Sequence, residues 1–271
     1  MFPPNFVRLH DHQQKLRALS IRSLEKSPDH SLHLKMIERS LDLLNVLVEK
    51  APAANDDQLT VQLLGLRIAN DLMGCLQLCL AGSCQSGVML LRDAFETTLL
   101  VDYFHHAPSR IGIWRGFTAK DEHLPPTEKK GKVTEEFRAL SIRSTLDARD
   151  GDVTFRRKNR YKLLCDLGAH PTSVGIALTR GDDGTPYWGP FFRENLLFAT
   201  IEELTWVAME AAFVVGHHFD LQASPHIAVD IGFYETMSRW NEHFFNVPHQ
   251  ADRFAELQVL VGLVHGSGSA P

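Results

Sequence analysis

The chain has 271 residues, of which 44% are hydrophobic and 23% are charged, and its formal net charge is −5 at pH 7. So much apolar side chain needs a packed core, which excludes a chain that is disordered throughout. The acidic balance argues against broad nucleic-acid binding, because proteins normally meet nucleic acids with a basic face.

Apolar residues recur at three- and four-residue spacing along most of the chain, which predicts a series of helices. The predicted helices span 8–26, 30–50, 58–80, 85–105, 108–117, 133–145, 155–167, 194–221, 231–245 and 251–264. One alternating stretch at 176–190 instead predicts a small β-hairpin or an ordered loop. We therefore predict an all-α, multi-helix bundle that forms a single helical domain over 1–265, with 266–271 as a flexible tail.

Two polar segments between the helices stand out by composition. Residues 121–132 combine charges with Pro125, Pro126 and a glycine, which predicts an exposed and mobile loop. Residues 147–152 are acidic and predict a turn.

The most apolar windows, 76–104 and 196–219, contain charged residues such as Arg92 and Glu210. A bilayer would penalise these charges, so both windows are predicted to be core helices and not membrane spans. The N-terminus lacks the basic and apolar regions of a signal peptide. The four cysteines lack Cys-x-x-Cys spacing, so we expect buried free thiols in a reducing, cytoplasmic protein without a metal or cofactor.

A first candidate site lies on the predicted helix 85–105. Arg92, Glu96 and Tyr103 stand at positions i, i+4 and i+11, and 100° per residue places all three on one stripe. Charges on so apolar a helix are expected to be partly buried and to need partners. The stripe is therefore either a structural ion pair that ties helices together or a polar pocket for a ligand or reaction.

A second candidate site lies on the predicted helix 155–167 and just beyond it. Tyr161 and Cys165 share a face, and His170 precedes Pro171, which favours an extended backbone at the histidine. His170 could point into a cleft or cap the end of the helix. The same helix carries the basic residues Arg156, Arg157 and Arg160, a candidate anion-binding site or a solvated face that residues 147–152 balance.

Together these motifs resemble an uncharacterised domain-of-unknown-function family of helical bacterial proteins, over about residues 60–220. The residues that carry the resemblance are Arg92, Glu96, Tyr103, Tyr161, Cys165, His170 and Pro171. Cys165 stands where such proteins often carry serine. The resemblance implies a helical fold and a candidate polar site, and it implies no particular reaction.

The sequence contains no His-Glu-x-x-His, Gly-x-Ser-x-Gly, phosphate-binding loop or dinucleotide fingerprint, and no Arg-x(4–6)-His motif of helical toxin nucleases. We therefore expect a ligand-sensing or partner-binding protein in a regulatory, stress or defence setting, whose partner is another protein or a second copy, without membrane association. The alternative is a hydrolase or nuclease that uses Arg92, Glu96, Tyr161 and His170. Convergence of these four residues on one open cavity would favour the enzyme.

Overall fold

Twelve α-helices are present in the part of the chain that the computed structural model describes, namely residues 3–118, 130–169, 171–181, 184–221 and 225–266. The prediction of an all-α multi-helix bundle is confirmed. The helices are α1 (Pro4–Glu25), α2 (Pro28–Asn45), α3 (Asp56–Leu80), α4 (Cys84–His106), α5 (Arg110–Thr118), α6 (Lys130–Glu136), α7 (Ala139–Asp150), α8 (Arg156–Leu164), α9 (Ser173–Ala177), α10 (Glu194–Gly216), α11 (Ile227–Phe245) and α12 (Ala251–Gly266).

The helix boundaries follow the capping signals in the sequence. The Asn55 side chain accepts a hydrogen bond from the backbone of Gln58 and begins α3. Pro4 and Pro28 occupy the first positions of α1 and α2, where a missing N–H costs nothing. Two helices end in a π-helical turn, α2 at Val46–Lys50 and α8 at Cys165–Ala169.

The core forms where α2, α3, α4 and α10 pack against one another, with α11 against α2. One connected cluster of buried apolar side chains extends from Leu24 to Trp240. Phe95 and Phe104 of α4 and Phe233 of α11 are among its largest fully buried members. All four cysteines are free and buried, as the sequence predicts.

The structure corrects the predicted helix at 133–145 and the predicted turn at 147–152. The predicted helix 133–145 is interrupted at Phe137 and Arg138, so two helices, α6 and α7, occupy this part of the chain. Helix α7 continues to Asp150, and Gly151 then adopts a left-handed conformation (φ 61°) that ends it. The acidic residues therefore lie mostly on the last turn of a helix, where they can reach neighbouring side chains.

The segment 176–190 is an ordered loop and not a hairpin of two strands in its described residues. Helix α9 comes first, and an isolated antiparallel bridge then joins Arg180 to Pro186. Residues 182 and 183, within this predicted hairpin, lie outside the described residues.

Two other predictions fall largely outside the described residues. Residues 121–129 of the predicted mobile loop and 267–271 of the predicted tail are not described, whereas 130–132 belong to α6 and 266 to α12. Among the described helices, α3 is long and apolar enough to cross a membrane by length and composition alone, a criterion that core helices of soluble proteins also meet. The cytoplasmic location stays a prediction.

Candidate functional site

The structure brings together Arg92 and Glu96 of α4 and Tyr161 of α8. The Arg92 Nη2 atom donates hydrogen bonds to Glu96 Oε1 at 2.6 Å and to the Tyr161 hydroxyl oxygen at 3.1 Å. The guanidinium of Arg143, from α7, lies 4.3 Å from the centre of the Tyr161 ring, a cation–π distance. We call Arg92, Glu96, Tyr161 and Arg143 the paired cluster, because its charged groups face partners within the cluster.

Burial and these contacts set the protonation of the paired cluster. Burial and Glu96 raise the pKa of Tyr161, although the hydrogen bond from Arg92 acts in the opposite direction. Burial works against the charge of Arg92, but Tyr161 and Glu96 outweigh it and raise the pKa of the guanidinium. At neutral pH the Arg92 guanidinium is therefore charged and the Tyr161 phenol is neutral.

Tyr103 lies elsewhere, which corrects the prediction that it shares a site with Arg92. Its hydroxyl donates to Glu136 Oε1 at 2.5 Å, and Arg110 Nε donates to the same oxygen at 2.6 Å. Burial and the bond to Glu136 raise the pKa of Tyr103 to about 12. A helix rises about 1.5 Å per residue, so the eleven-position step from Arg92 to Tyr103 separates them by about 16 Å along the axis even on one stripe.

The second candidate site is only partly described. His170 lies outside the described residues, so its predicted role stays a prediction. Cys165 is buried at the start of the π-helical turn, and Pro171 is exposed. Tyr161 is the member of this site that the structure joins to the first one.

Carboxylates hold two of the three arginines of the candidate anion site. Arg157 contacts Asp147 at 3.2 Å and also Asp150, and Arg160 Nε donates to Glu203 Oε2 at 2.9 Å. Arg156 has an 80% exposed side chain and only a distant contact, 3.9 Å, with Asp152. The acidic segment therefore balances this basic face, and anion binding there stays a prediction.

The same acidic segment connects α7 to Asp102 near the C-terminal end of the core helix α4. Arg149 donates two hydrogen bonds to the Asp102 carboxylate, at 2.7 and 3.0 Å, and the Asp102 side chain is only 9% exposed. Hydrogen bonds from Arg149 and Arg157 hold the pKa of Asp150 at about 2. Each of the three acids, Asp102, Asp147 and Asp150, therefore forms an ion pair with Arg149 or Arg157.

A cavity of about 640 Å³ opens between α8 and α10, beside these networks. Its apolar walls come from Trp206, Met209 and Phe213 of α10, Phe95 of α4 and Met237 of α11. Ligand sites in proteins are typically of this size and mostly apolar, with a few polar groups that orient the ligand. Arg92, Glu96 and Tyr161 do not line this cavity.

Six charged residues also line the cavity, and the acid Glu210 is one of them: Asp152, Arg156, Arg157, Arg160, Glu203 and Glu210. Arg160 pairs with Glu203 and lies 5.1 Å from the Trp206 ring, so both charges are partnered. In the part of the chain that the structure describes, no hydrogen bond or ion pair reaches the Glu210 carboxylate. The side chain is only half-buried, but burial of the carboxyl group still raises the pKa of Glu210, against the opposing effect of Arg160 and Arg157. Glu210 is thus an acid with its hydrogen-bonding capacity unused, facing an apolar cavity.

From the sequence, Glu210 is predicted only to be a charge that a bilayer would penalise, and no role is predicted for Trp206. A signal was present: Glu203, Trp206, Glu210 and Phe213 stand at i, i+3, i+7 and i+10, on one face of α10. This spacing does not show that the face meets α8, nor which glutamate lacks a partner.

No protein-family model, curated protein or solved structure matches this chain. The resemblance to a domain-of-unknown-function family therefore stays a prediction. Within the described residues, no group of three or more histidine, cysteine, aspartate and glutamate side chains is placed to hold a metal ion.

Proposed function

We propose that the chain is a ligand-binding protein whose site is the cavity between α8 and α10. The observation that carries the proposal is the unpartnered Glu210 carboxylate in a cavity with aromatic and thioether walls. Burial already disfavours the charged form of Glu210, as the direction of its pKa shift indicates, and within the described residues no donor offsets this cost. A ligand that supplied the missing hydrogen-bond donor would remove that cost.

The lining of the cavity favours a flat apolar molecule with a protonated amine. Trp206 and Phe213 offer ring faces that attract cations and stack on aromatic groups. Glu210 would accept the hydrogen bonds of the amine. Arg160 donates its hydrogen bond to Glu203, although its charge, like that of Arg157, also acts on Glu210.

This proposal develops the ligand-sensing prediction and not the hydrolase or nuclease prediction. Arg92, Glu96 and Tyr161 bond to one another and do not line the cavity, so they are not placed to act as acid or base on a substrate in it. The acid that does line the cavity, Glu210, is assigned here to holding the amine of the ligand, so the proposal is one of binding. The regulatory, stress or defence setting remains part of the proposal and rests on the sequence alone.

Three probes with the same ring test the proposed ligand chemistry: tryptamine, indole and indole-3-acetate. Isothermal titration calorimetry on the full chain should give the tightest binding for tryptamine. Hydrogen bonds to charged groups contribute about 1.5–3 kcal/mol, so tryptamine should bind about 10- to 100-fold more tightly than the other two. Glu210→Gln should abolish this preference while weak binding of indole remains.

Glu38→Gln is the matched control, since Glu38 is an exposed glutamate on α2 that does not line the cavity. It should leave all three affinities unchanged. Equal affinities for the three probes, or a tryptamine preference that survives Glu210→Gln, would refute the proposed site.

A further inference from the structure

One stripe of α8 faces the cavity between α8 and α10. Four residues at positions i, i+3, i+4 and i+7 of this helix line the cavity: Arg156, Asn159, Arg160 and Leu163. At 100° per residue they fall within an arc of about 100°, and Lys158 projects from the opposite side of the helix. The polar side chains on this stripe therefore face the same cavity as Glu210.

Most of the charged residues that line the cavity already have a partner. Arg160 donates to Glu203, and two carboxylates of α7 pair with Arg157. The Asp152 carboxylate accepts hydrogen bonds from the backbone N–H and the hydroxyl of Thr154. The charges of these residues are therefore already compensated within the protein.

Three polar residues of the lining differ, because their hydrogen-bonding capacity is unused. Glu210 is a free acceptor. Within the described residues no hydrogen bond engages the side chains of Arg156 and Asn159, and the Arg156 guanidinium has only its 3.9 Å contact with Asp152. The charge of Arg156 acts on the Glu210 carboxyl, but no ion pair joins the two in the part of the chain that the structure describes. The cavity thus presents a free acid and a free base that do not contact each other.

We infer that the ligand of this cavity is an aromatic α-amino acid, whose amine binds Glu210 and whose carboxylate binds Arg156 and Asn159. The inference rests on the proposed function, which assigns the amine to Glu210. An amine without an acid group would leave the donors of Arg156 and Asn159 unused. A carboxylate accepts two parallel hydrogen bonds from a guanidinium, and the four charges from Glu210 to Arg156 would then alternate in sign.

Two probes that differ only in the acid group test this inference: tryptophan and tryptophanamide. Isothermal titration calorimetry on the full chain at about pH 6.5, where the amines of both probes are protonated, compares their affinities. Arg156 is 80% exposed, so water screens its charge and the gain is smaller than the gain from Glu210. Tryptophan should bind about 5-fold more tightly than tryptophanamide, and added salt should reduce this ratio.

Arg156→Gln should bring the two affinities to about the same value, because it removes the charge that distinguishes the probes. Arg156→Glu should make tryptophanamide the better ligand. Tryptophanamide has no acid group, so its retained binding shows that each variant keeps an intact site. Lys158→Gln is the matched control, since Lys158 is an exposed cation on the same helix that does not line the cavity. It should leave the ratio unchanged.

Two results would overturn this inference and leave the proposed function standing. One is a parent that binds tryptophan no more tightly than tryptophanamide, and the other is a tryptophan preference that survives Arg156→Gln. In both cases tryptophanamide would still bind more tightly than indole, and this difference would still depend on Glu210. If tryptophanamide and indole bind equally, the proposed function fails, and the inference fails with it.

Discussion

Helices α4 and α10 are both 23 residues long, both belong to the core, and both carry charged residues among apolar ones. They differ in how those charges are partnered. On α4, Arg92 meets Glu96 and Tyr161, and Asp102 meets Arg149. On α10, Glu203 meets Arg160, whereas Glu210 faces a cavity without a partner.

This difference separates charges that hold helices together from a charge that is available to a ligand. A buried charge with a fixed partner is costly to disturb, because the partner is then stranded. A buried charge without a partner already costs stability, so its removal costs little. The following three predictions test whether α4 and α10 differ in this way.

The largest loss of stability is expected for Asp102→Ala on α4. The Asp102 side chain is 9% exposed and accepts two hydrogen bonds from Arg149, which the substitution would leave without its acid. Removing one partner of a buried pair costs about 3–5 kcal/mol. Urea denaturation followed by circular dichroism measures this loss directly.

Asp42→Ala is the control for this variant, since its pair with Arg39 is exposed on α2. Exposed pairs contribute about 0–1 kcal/mol, so the control should unfold almost like the parent. Similar losses in both variants would show that the Asp102 network is not a buried partnership.

A smaller effect is expected for the paired cluster, because Arg92 and Glu96 are each 27% exposed. Hydrogen bonds to charged groups contribute about 1.5–3 kcal/mol, so Arg92→Ala and Glu96→Ala should each lose about this much stability. The double variant should lose less than the sum, since the two residues share one interaction. Denaturation of the four proteins in the cycle gives the coupling energy.

The Lys162–Asp166 pair provides a matched cycle at the same helical spacing on α8. Its side chains are 72% and 31% exposed, and such pairs couple by about 0.3–0.5 kcal/mol. If the Arg92–Glu96 coupling is no larger than this, the cluster is a solvated surface pair.

The sequence predicts those parts of the fold that depend on local pattern. The apolar spacing over 58–80 predicts α3 to within two residues of its observed start at Asp56. The break at Phe137 and Arg138 was missed, because the apolar pattern continues across it while the backbone does not. The π-helical turns after α2 and α8 were also missed. Each is only five residues long, which is too short to change the apolar pattern of the α-helix that precedes it.

The candidate site was predicted only where one helix supplies the contact. The i, i+4 spacing correctly predicts the contact between Arg92 and Glu96. The i+11 spacing places Tyr103 at nearly the same angle around the helix as Arg92, but it ignores the rise along the helix axis, and Tyr103 bonds to Glu136 instead. Glu210 could not be assigned from the sequence in the same way. Its special property is the lack of a partner from α8 and α4, and that depends on tertiary packing.

The smallest change, and the only one of stabilising sign, is expected for Glu210→Gln in the ligand-free protein. Burial raises the pKa of Glu210 above its ordinary value of 4.5, so the native state retains this proton to a higher pH than the unfolded chain does. The stability of the parent is therefore unaffected by this group below pH 4.5, and it falls as the pH rises through the raised pKa. Glutamine does not titrate and avoids this loss. The two proteins should have the same free energy of unfolding near pH 4.5, to within about 0.5 kcal/mol. At neutral pH and above, the variant should have the higher melting temperature.

Glu203→Gln, seven residues earlier on the same face, should show the opposite sign at neutral pH, because it weakens the bond to Arg160. If Glu210→Gln instead loses as much stability as Glu203→Gln, Glu210 has a structural partner and α10 does not differ from α4.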